Sequence, residues 1–243
     1  MDKEKTMNEH AEHRQRMKNR FLKNGLDCFD EHQVIELLLF FGIPRQDTNV
    51  IAHRLINRFG SLREVLEASY EELLEVEGIG EHAATLIKFS AELSRRYLLS
   101  EAKQNERFET VEKLGDYLKR LFLGKNVEEV YILTFTGKME MLSCRKLADG
   151  MTNLVAFSVK PLIEEAILSH AACIVLAHNH PSGIASPSGS DIEITHQLEF
   201  ICNQMSVPLI EHYVVAGNQY YAIIHEKRSH SDRFDNVPKL KRR

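Results

Sequence analysis

Two histidines separated by a single residue, His178 and His180, follow the apolar run Ile174-Val175-Leu176-Ala177. Such a run is long enough for a buried strand and too short for a helix. On an extended backbone, residues i and i+2 point to one face, so both imidazoles can meet a single ion. A loop rich in Pro, Ser and Gly, from Pro181 to Gly189, then turns the chain. Beyond it Asp191 opens a segment in which Ile192, Ile194, Leu198, Ile201 and Cys202 sit at roughly helical spacing. Two neutral nitrogen ligands and one carboxylate make three protein ligands, the number expected of a catalytic zinc that keeps one position open for water. A structural zinc is normally closed by a fourth protein ligand, and no CxxC or HxxxH accompanies this stretch. Ser188-x-x-Asp191 also reads as a helix-capping box, which would give the carboxylate a purely structural duty.

The complete pattern is more specific than a His-x-His pair. H-x-H-P, six residues, then S-x-x-D, carried by His178, His180, Pro181, Ser188 and Asp191, resembles the JAMM (MPN-plus) zinc metallopeptidase motif. The string HNHPSG, with Pro187-Ser188 and Asp191, resembles the RadC branch of that superfamily, and the resemblance extends over nearly the whole chain. It implies Zn²⁺ held by His178, His180 and Asp191, and hydrolysis of an amide or isopeptide bond in a peptide or protein substrate. It implies a glutamate at the head of the first strand as general base. Glu129 occupies that place, with Glu128 the less favoured neighbour; from the residues alone both read equally as solvated carboxylates. It implies the Ser188 hydroxyl as the group that stabilises the oxyanion. Glu164 and Glu165, on a helix upstream of the histidine strand, read as surface residues. Where the RadC helix usually has Arg after its proline, this chain has Leu162 after Pro161, a departure that alters local contacts without touching the metal ligands. Glu211-His212 resembles the family's Asp-His pair; His212 reads first as a core histidine satisfied by hydrogen bonds and second as a partner behind a ligand.

The elements that must position these residues fall into two domains. Phe21 to Leu99 is patterned as short helices with capping signals at Asp30 (Gln33 three residues on), Asp47 or Thr48, Ser61, and Ser69 (Glu72 three residues on). Val76-Glu77-Gly78-Ile79-Gly80, followed by Ala83, Ala84, Leu86 and Ile87, resembles the second half of a helix-hairpin-helix, in which a G-h-G turn brings backbone amides to a nucleic-acid phosphate. The plain alternative is an interhelical turn. Residues 1–20 read as a solvated, flexible arm, extended or helical, with little to pack, 100–107 as a linker, 108–228 as the metal-binding domain and 229–243, ending KLKRR, as a basic tail. Within 108–228 the pattern predicts a helix through Val111, Leu114, Leu118 and Leu121, a strand over Val130–Phe135, and a turn at Thr136-Gly137-Lys138 into Met139–Cys144. A loop over Lys146–Gly150, a strand over Val155–Val159 and a helix over Leu162–Ser169 follow. The histidine strand comes next, then a helix from Asp191 to about Met205, a strand over Pro208–Val215 and a hairpin partner over Tyr220–Ile224. The predicted fold class is thus a small all-α helix-hairpin-helix-like module joined to an α/β domain of cytidine-deaminase-like, JAMM/MPN type, a mixed sheet with flanking helices.

Composition sets outer limits. A hydrophobic share of 43% and a charged share of 27% are those of an ordinary soluble globular protein. No apolar run approaches the roughly 18 residues of a membrane span, and the polar N-terminus has no signal-like core. Cys28, Cys144, Cys173 and Cys202 lack paired spacing, which suits free thiols in a reducing cytoplasm. A net charge of -4, with more acidic than basic side chains in the first hundred residues, lacks the basic footprint of strong phosphate binding. The leading expectation is a zinc hydrolase of peptidase type. The alternative is a DNA-repair accessory protein that contacts DNA at Gly78–Gly80, with the metal site vestigial or nucleolytic.

Overall fold

Short polar residues at fixed offsets start most of the helices in the first half of the chain. In the computed structural model, which describes residues 2–44, 46–100, 107–150 and 159–228, two compact units are seen, 1–94 and 95–243. In the first unit Asp30 stands ahead of α2 (Glu31–Gly42), where the Gln33 side chain accepts from the Asp30 backbone at 3.3 Å. Asp47, Ser61 and Ser69 accept from backbone amides at the starts of α3 (Thr48–Phe59), α4 (Leu62–Glu67) and α5 (Tyr70–Leu74). Each such cap is worth about 1 kcal/mol. Leu39, Leu55, Leu73 and Ile87 are fully buried together, the last on α6 (Glu81–Ser100), which begins in this unit.

The expected arm lies in a helix, α1 (Asp2–Asn24), as its sequence allowed, but it packs where little packing was expected. Met17 is buried against Leu37 and Phe40. Arg14 donates to the carbonyls of Phe40, Ile43 and Gln46 at 3.3, 2.7 and 2.7 Å, around the end of α2, where helix carbonyls lack partners. His13 lies 2.8 Å from the buried Glu36, which also accepts from Asn49 at 2.9 Å. Most of these contacts are polar and distant in sequence, so hydropathy does not show them.

The second unit is a mixed sheet covered on both faces. Its elements are α7 (Val111–Leu121), β1 (Glu129–Phe135), β2 (Met141–Asp149), α8 (Val159–Leu168), β3 (Cys173–Asn179), α9 (Gly189–Gln204), β4 (Leu209–Ala216), β5 (Gln219–Ala222) and α10 (Ile223–Arg228). The strand order is β2-β1-β3-β4-β5, with β3 and β4 parallel and the other neighbours antiparallel. Both β3 and β4 are buried along their whole length, which is why they read as continuous apolar runs rather than alternating ones. Alternation still sorts their side chains. Val175, Ala177, Tyr213 and Val215 pack with Leu114 and Leu118 of α7, while Ile174, Leu176, Val130 and Ile132 pack with Leu162 of α8 and Leu198 of α9.

Two element boundaries differ from expectation. β2 runs on through Lys146–Asp149, expected as loop, because its register shifts opposite Val130/Tyr131 and Asp149 still pairs with Glu129. Ile223 and Ile224 begin α10 instead of completing the last strand. The interior of the linker, the expected Val155–Val159 strand up to residue 158 and the basic tail lie outside the described residues. Among the described residues no helix is long and apolar enough to cross a membrane.

Candidate metal centre

The parallel connection from β3 to β4 runs through α9, so the start of that helix returns to the end of the strand it left. His178 is the sixth residue of β3 and has no exposed surface. His180 follows the strand and is tied to β4 by its amide, which donates to the Val215 carbonyl at 2.8 Å. Ser188 caps α9, and Asp191, three residues into it, is buried. His178 Nε2 lies 3.0 Å from His180 Nε2 and 3.5 Å from Asp191 Oδ1, and His180 Nε2 lies 3.6 Å from Asp191 Oδ2. Among the described residues these three form a group able to hold one ion, with their ligand atoms all within 4.8 Å of one another.

The donor set fits a cation. The Ile184 carbonyl, 3.0 Å from His180 Nδ1, can only accept, so this ring donates from Nδ1 and turns the Nε2 lone pair inward. That lone pair faces carboxylate oxygens and a second imidazole nitrogen. Two nitrogens and a carboxylate with room for a further ligand are what zinc takes in hydrolytic sites. Burial alone would raise the Asp191 carboxyl, but the hydrogen bonds and charge that His178 and His180 offer when protonated, together with the Ser188 hydroxyl, hold it well below the usual carboxylate range. The hydrogen bond to Asp191 in turn raises His180, against burial.

Glu129 does not join this group. Val130 pairs with His178 across the β1–β3 ladder, which puts the Val130 side chain on the histidine face and its neighbour Glu129 on the other. There the Glu129 carboxylate accepts from the Tyr131 hydroxyl at 3.1 Å and lies 3.7 and 3.6 Å from the ammonium groups of Lys125 and Lys146. The carboxylate that feels the site is that of Glu128, two residues before Val130. Burial raises its pKa most; the charges of His178 and His180 lower it and that of Asp191 raises it, with the balance upward. Of the two neighbouring carboxylates it is thus Glu128, and not the expected Glu129, that feels the three grouped residues, a consequence of the twofold repeat of a strand.

Ser188 forms the capping box that its spacing to Asp191 predicts. Its hydroxyl donates to Asp191 Oδ2 at 2.7 Å, its own amide donates to the same oxygen at 2.7 Å, and the Asp191 amide returns a bond to the hydroxyl at 3.2 Å. The capping box and the site are thus one structure. The single proton of Ser188 is committed to orienting Asp191, so it is not free to meet an oxyanion in this arrangement.

Three further residues support the site. His212 on β4 has no exposed surface and lies 2.9 Å from His178 Nδ1, and Thr195 Oγ1 lies 2.6 Å from His212 Nδ1. Burial keeps the His212 ring well below the usual imidazole range, hence uncharged. His212 is a core histidine satisfied by hydrogen bonds, one of them to His178; Thr195 carries no sequence signal beyond standing one helical turn after Asp191. Asn179, between the two histidines, points to the opposite face. Its Oδ1 accepts from the Glu129 amide at 2.7 Å, and its Nδ2 donates to the carbonyls of Val127 and Lys125 at 2.9 and 3.3 Å, tying down the segment that carries Glu128.

Comparison with known proteins agrees with this arrangement. Residues 108–229 match the model of the RadC-like JAB domain, and residues 9–85 that of the UPF0758 N-terminal domain. The chain is 31% identical over 221 residues to a UPF0758 protein of Fusobacterium nucleatum, covering 88% of this chain and 95% of that protein. It is 30% identical over 206 residues to a UPF0758 protein of Paraburkholderia xenovorans, covering 84% of this chain and 81% of that protein. A UPF0758 protein of Coprothermobacter proteolyticus is 28% identical over 217 residues, covering 88% and 92%.

Proposed function

This chain belongs to the RadC family of JAB-domain proteins, and we propose that it is a zinc-dependent hydrolase that cleaves an amide or isopeptide bond in a peptide or protein. The JAB/MPN domain family includes metal-dependent hydrolases. The observation that carries the reading is the convergence of His178 Nε2, His180 Nε2 and the Asp191 carboxylate in a partly buried corner, with His180 already locked in the ligating tautomer. Zinc bound there would supply Lewis acidity and water with a pKa lowered to about 7. His178, His180 and Asp191 would hold it, and Ser188 would fix the direction of the Asp191 oxygens. Glu128, its proton affinity raised by burial, takes a proton from the attacking water and returns it to the leaving nitrogen. Ser188 reaches an oxyanion only by releasing Asp191. The absence of disulfides among Cys28, Cys144, Cys173 and Cys202 suits action in a reducing compartment, the cytoplasm.

The test is a panel of fluorogenic peptides and Lys-ε-linked isopeptides, assayed with zinc-loaded wild type, Glu128→Gln, and His178→Ala plus His180→Ala. Cleavage is expected only in the wild type, with zinc retained in Glu128→Gln. Undiminished cleavage by the double histidine variant would overturn the assignment.

A second reading gives the helical module, read as helix-hairpin-helix-like, a role on DNA. One observation favours it. Gly78 has internal reasons to be glycine, a φ of +98° and the Ile51 side chain against its Cβ position, whereas the Cβ position of Gly80, just ahead of α6, meets nothing within 4 Å. An open glycine at a helix start leaves room for a phosphate. Fluorescence anisotropy with branched and linear DNA tests it: salt-sensitive binding abolished by Gly80→Val supports the role, and no binding at low salt removes it.

A further inference from the structure

The hydrogen bonds behind His178 form a chain whose proton positions follow from its far end. The backbone carbonyl of Asp191 can only accept, so Thr195 Oγ1, 2.5 Å away, must give it its single proton. Thr195 Oγ1 is then left with lone pairs, and His212 Nδ1, 2.6 Å away, must be the donor. With one proton on each ring, His212 Nε2 accepts, and His178 Nδ1, at 2.9 Å, carries the hydrogen it accepts. The last consequence falls at the site itself, because the proton on Nδ1 leaves the Nε2 lone pair of His178 facing His180 and Asp191.

We infer that Thr195 and His212 are positioning residues that hold His178 as the Nδ1–H tautomer and aim its Nε2 lone pair at the cation. The chain is closed as well as ordered. It leaves Asp191 through its backbone carbonyl, climbs one helical turn to Thr195, crosses to β4 at His212 and ends on His178 in β3, so that the ligand on α9 and the ligand on β3 are set by one network. His180 is held separately, by the Ile184 carbonyl. Thr195 and His212 have no exposed surface, and no rearrangement of the loop from Pro181 to Ser188 is needed to keep the chain intact. Partners of this kind typically contribute 10- to 100-fold to metal affinity.

The inference deepens the zinc-hydrolase reading and rests on it for the affinity measurement, while the tautomer itself is read in metal-free protein. Long-range proton–nitrogen correlation spectra of the full chain labelled with ¹⁵N-histidine are expected to show His178 and His212 as Nδ1–H tautomers. Thr195→Val should displace that pattern and weaken zinc, measured by competition with a chromophoric chelator, by about 10- to 100-fold. Thr195→Ser, which keeps the hydroxyl, should restore both. Melting of the metal-free variants separates loss of fold from loss of tautomer control. An Nε2–H tautomer at His178 in the wild type overturns the inference, as does a folded Thr195→Val with unchanged tautomer and zinc affinity. Should Thr195→Val fail to fold, the wild-type spectrum and Thr195→Ser still decide. A wild type that shows the expected tautomers but binds no zinc upholds the chain of hydrogen bonds and removes the hydrolase reading.

Discussion

Val130 lies directly opposite His178 in the β1–β3 ladder. Because paired residues of an antiparallel ladder share a face and neighbours alternate, this single pairing decides which of two adjacent glutamates shares a face with His178. Glu128 goes to the histidine face, and Glu129 to the α7 face with Tyr131, Lys125 and Lys146.

Exchanging each carboxylate for its amide separates the two. Glu128→Gln should lower cleavage by about 10²- to 10⁴-fold while leaving zinc content unchanged. Glu129→Gln should leave cleavage close to wild type and instead lower thermal stability, by roughly 1–3 kcal/mol, through the loss of charge-assisted contacts to two lysines and a tyrosine. Parallel activity, zinc and melting measurements check this; the reverse pattern would put the base at Glu129.

Asn179 closes the segment from Lys125 to Glu129 with three hydrogen bonds. In Asn179→Ala a buried amide is left without its partner, at a cost of about 1–3 kcal/mol. Cleavage should fall while zinc affinity holds, since the side chain points away from the ligands. A variant with wild-type melting temperature and wild-type activity would show that this tether does not position Glu128.

Zinc affinity should depend on pH with a definite sign. Hydrogen bonding to Asp191 raises the His180 imidazole above its ordinary range, against burial, so in metal-free protein the proton begins to compete above pH of about 6.5. Affinity is therefore full at alkaline pH and is lost as pH falls through the raised value, about tenfold per pH unit for each proton displaced. Asp191, held low by the same pair of histidines and Ser188, adds no competition in that window. Calorimetric titration between pH 5.5 and 8.5 measures the slope; an affinity independent of pH would contradict ligation through His180.

Gly115 on α7 faces the ring of Tyr220 so closely that any Cβ would strike it. The ring also packs edge to face on Tyr213, whose hydroxyl donates to the Val111 carbonyl at 3.0 Å. Gly115→Val should destabilise the second unit by about 1–3 kcal/mol through overpacking. Chemical denaturation followed by tyrosine fluorescence measures it, and an unchanged midpoint would mean that Tyr220 moves aside without cost.

What the residues disclosed and what they withheld divides along physical lines. The grouping of His178, His180 and Asp191, which could hold an ion, was legible because a strand repeat of two and a capping offset of three are local rules. Most helix starts were legible for the same reason. The choice between Glu128 and Glu129 was not, since it depends on the register of β1 against β3, a non-local pairing that slips every side chain to the other face when moved by one residue. Nor was Thr195, an ordinary helix residue until β4 brings His212 against it. The seating of α1 escaped because its anchors, Arg14 and His13, are polar side chains meeting carbonyls and a carboxylate far along the chain.

Whether His178, His180 and Asp191 hold one zinc ion is read from metal analysis of the chain purified without chelators, paired with the same analysis of His178→Ala plus His180→Ala. One equivalent of zinc per chain in the wild type and almost none in the double variant is the expected result. Zinc absent from the wild type after incubation with the ion, or retained in full by the double variant, would contradict it.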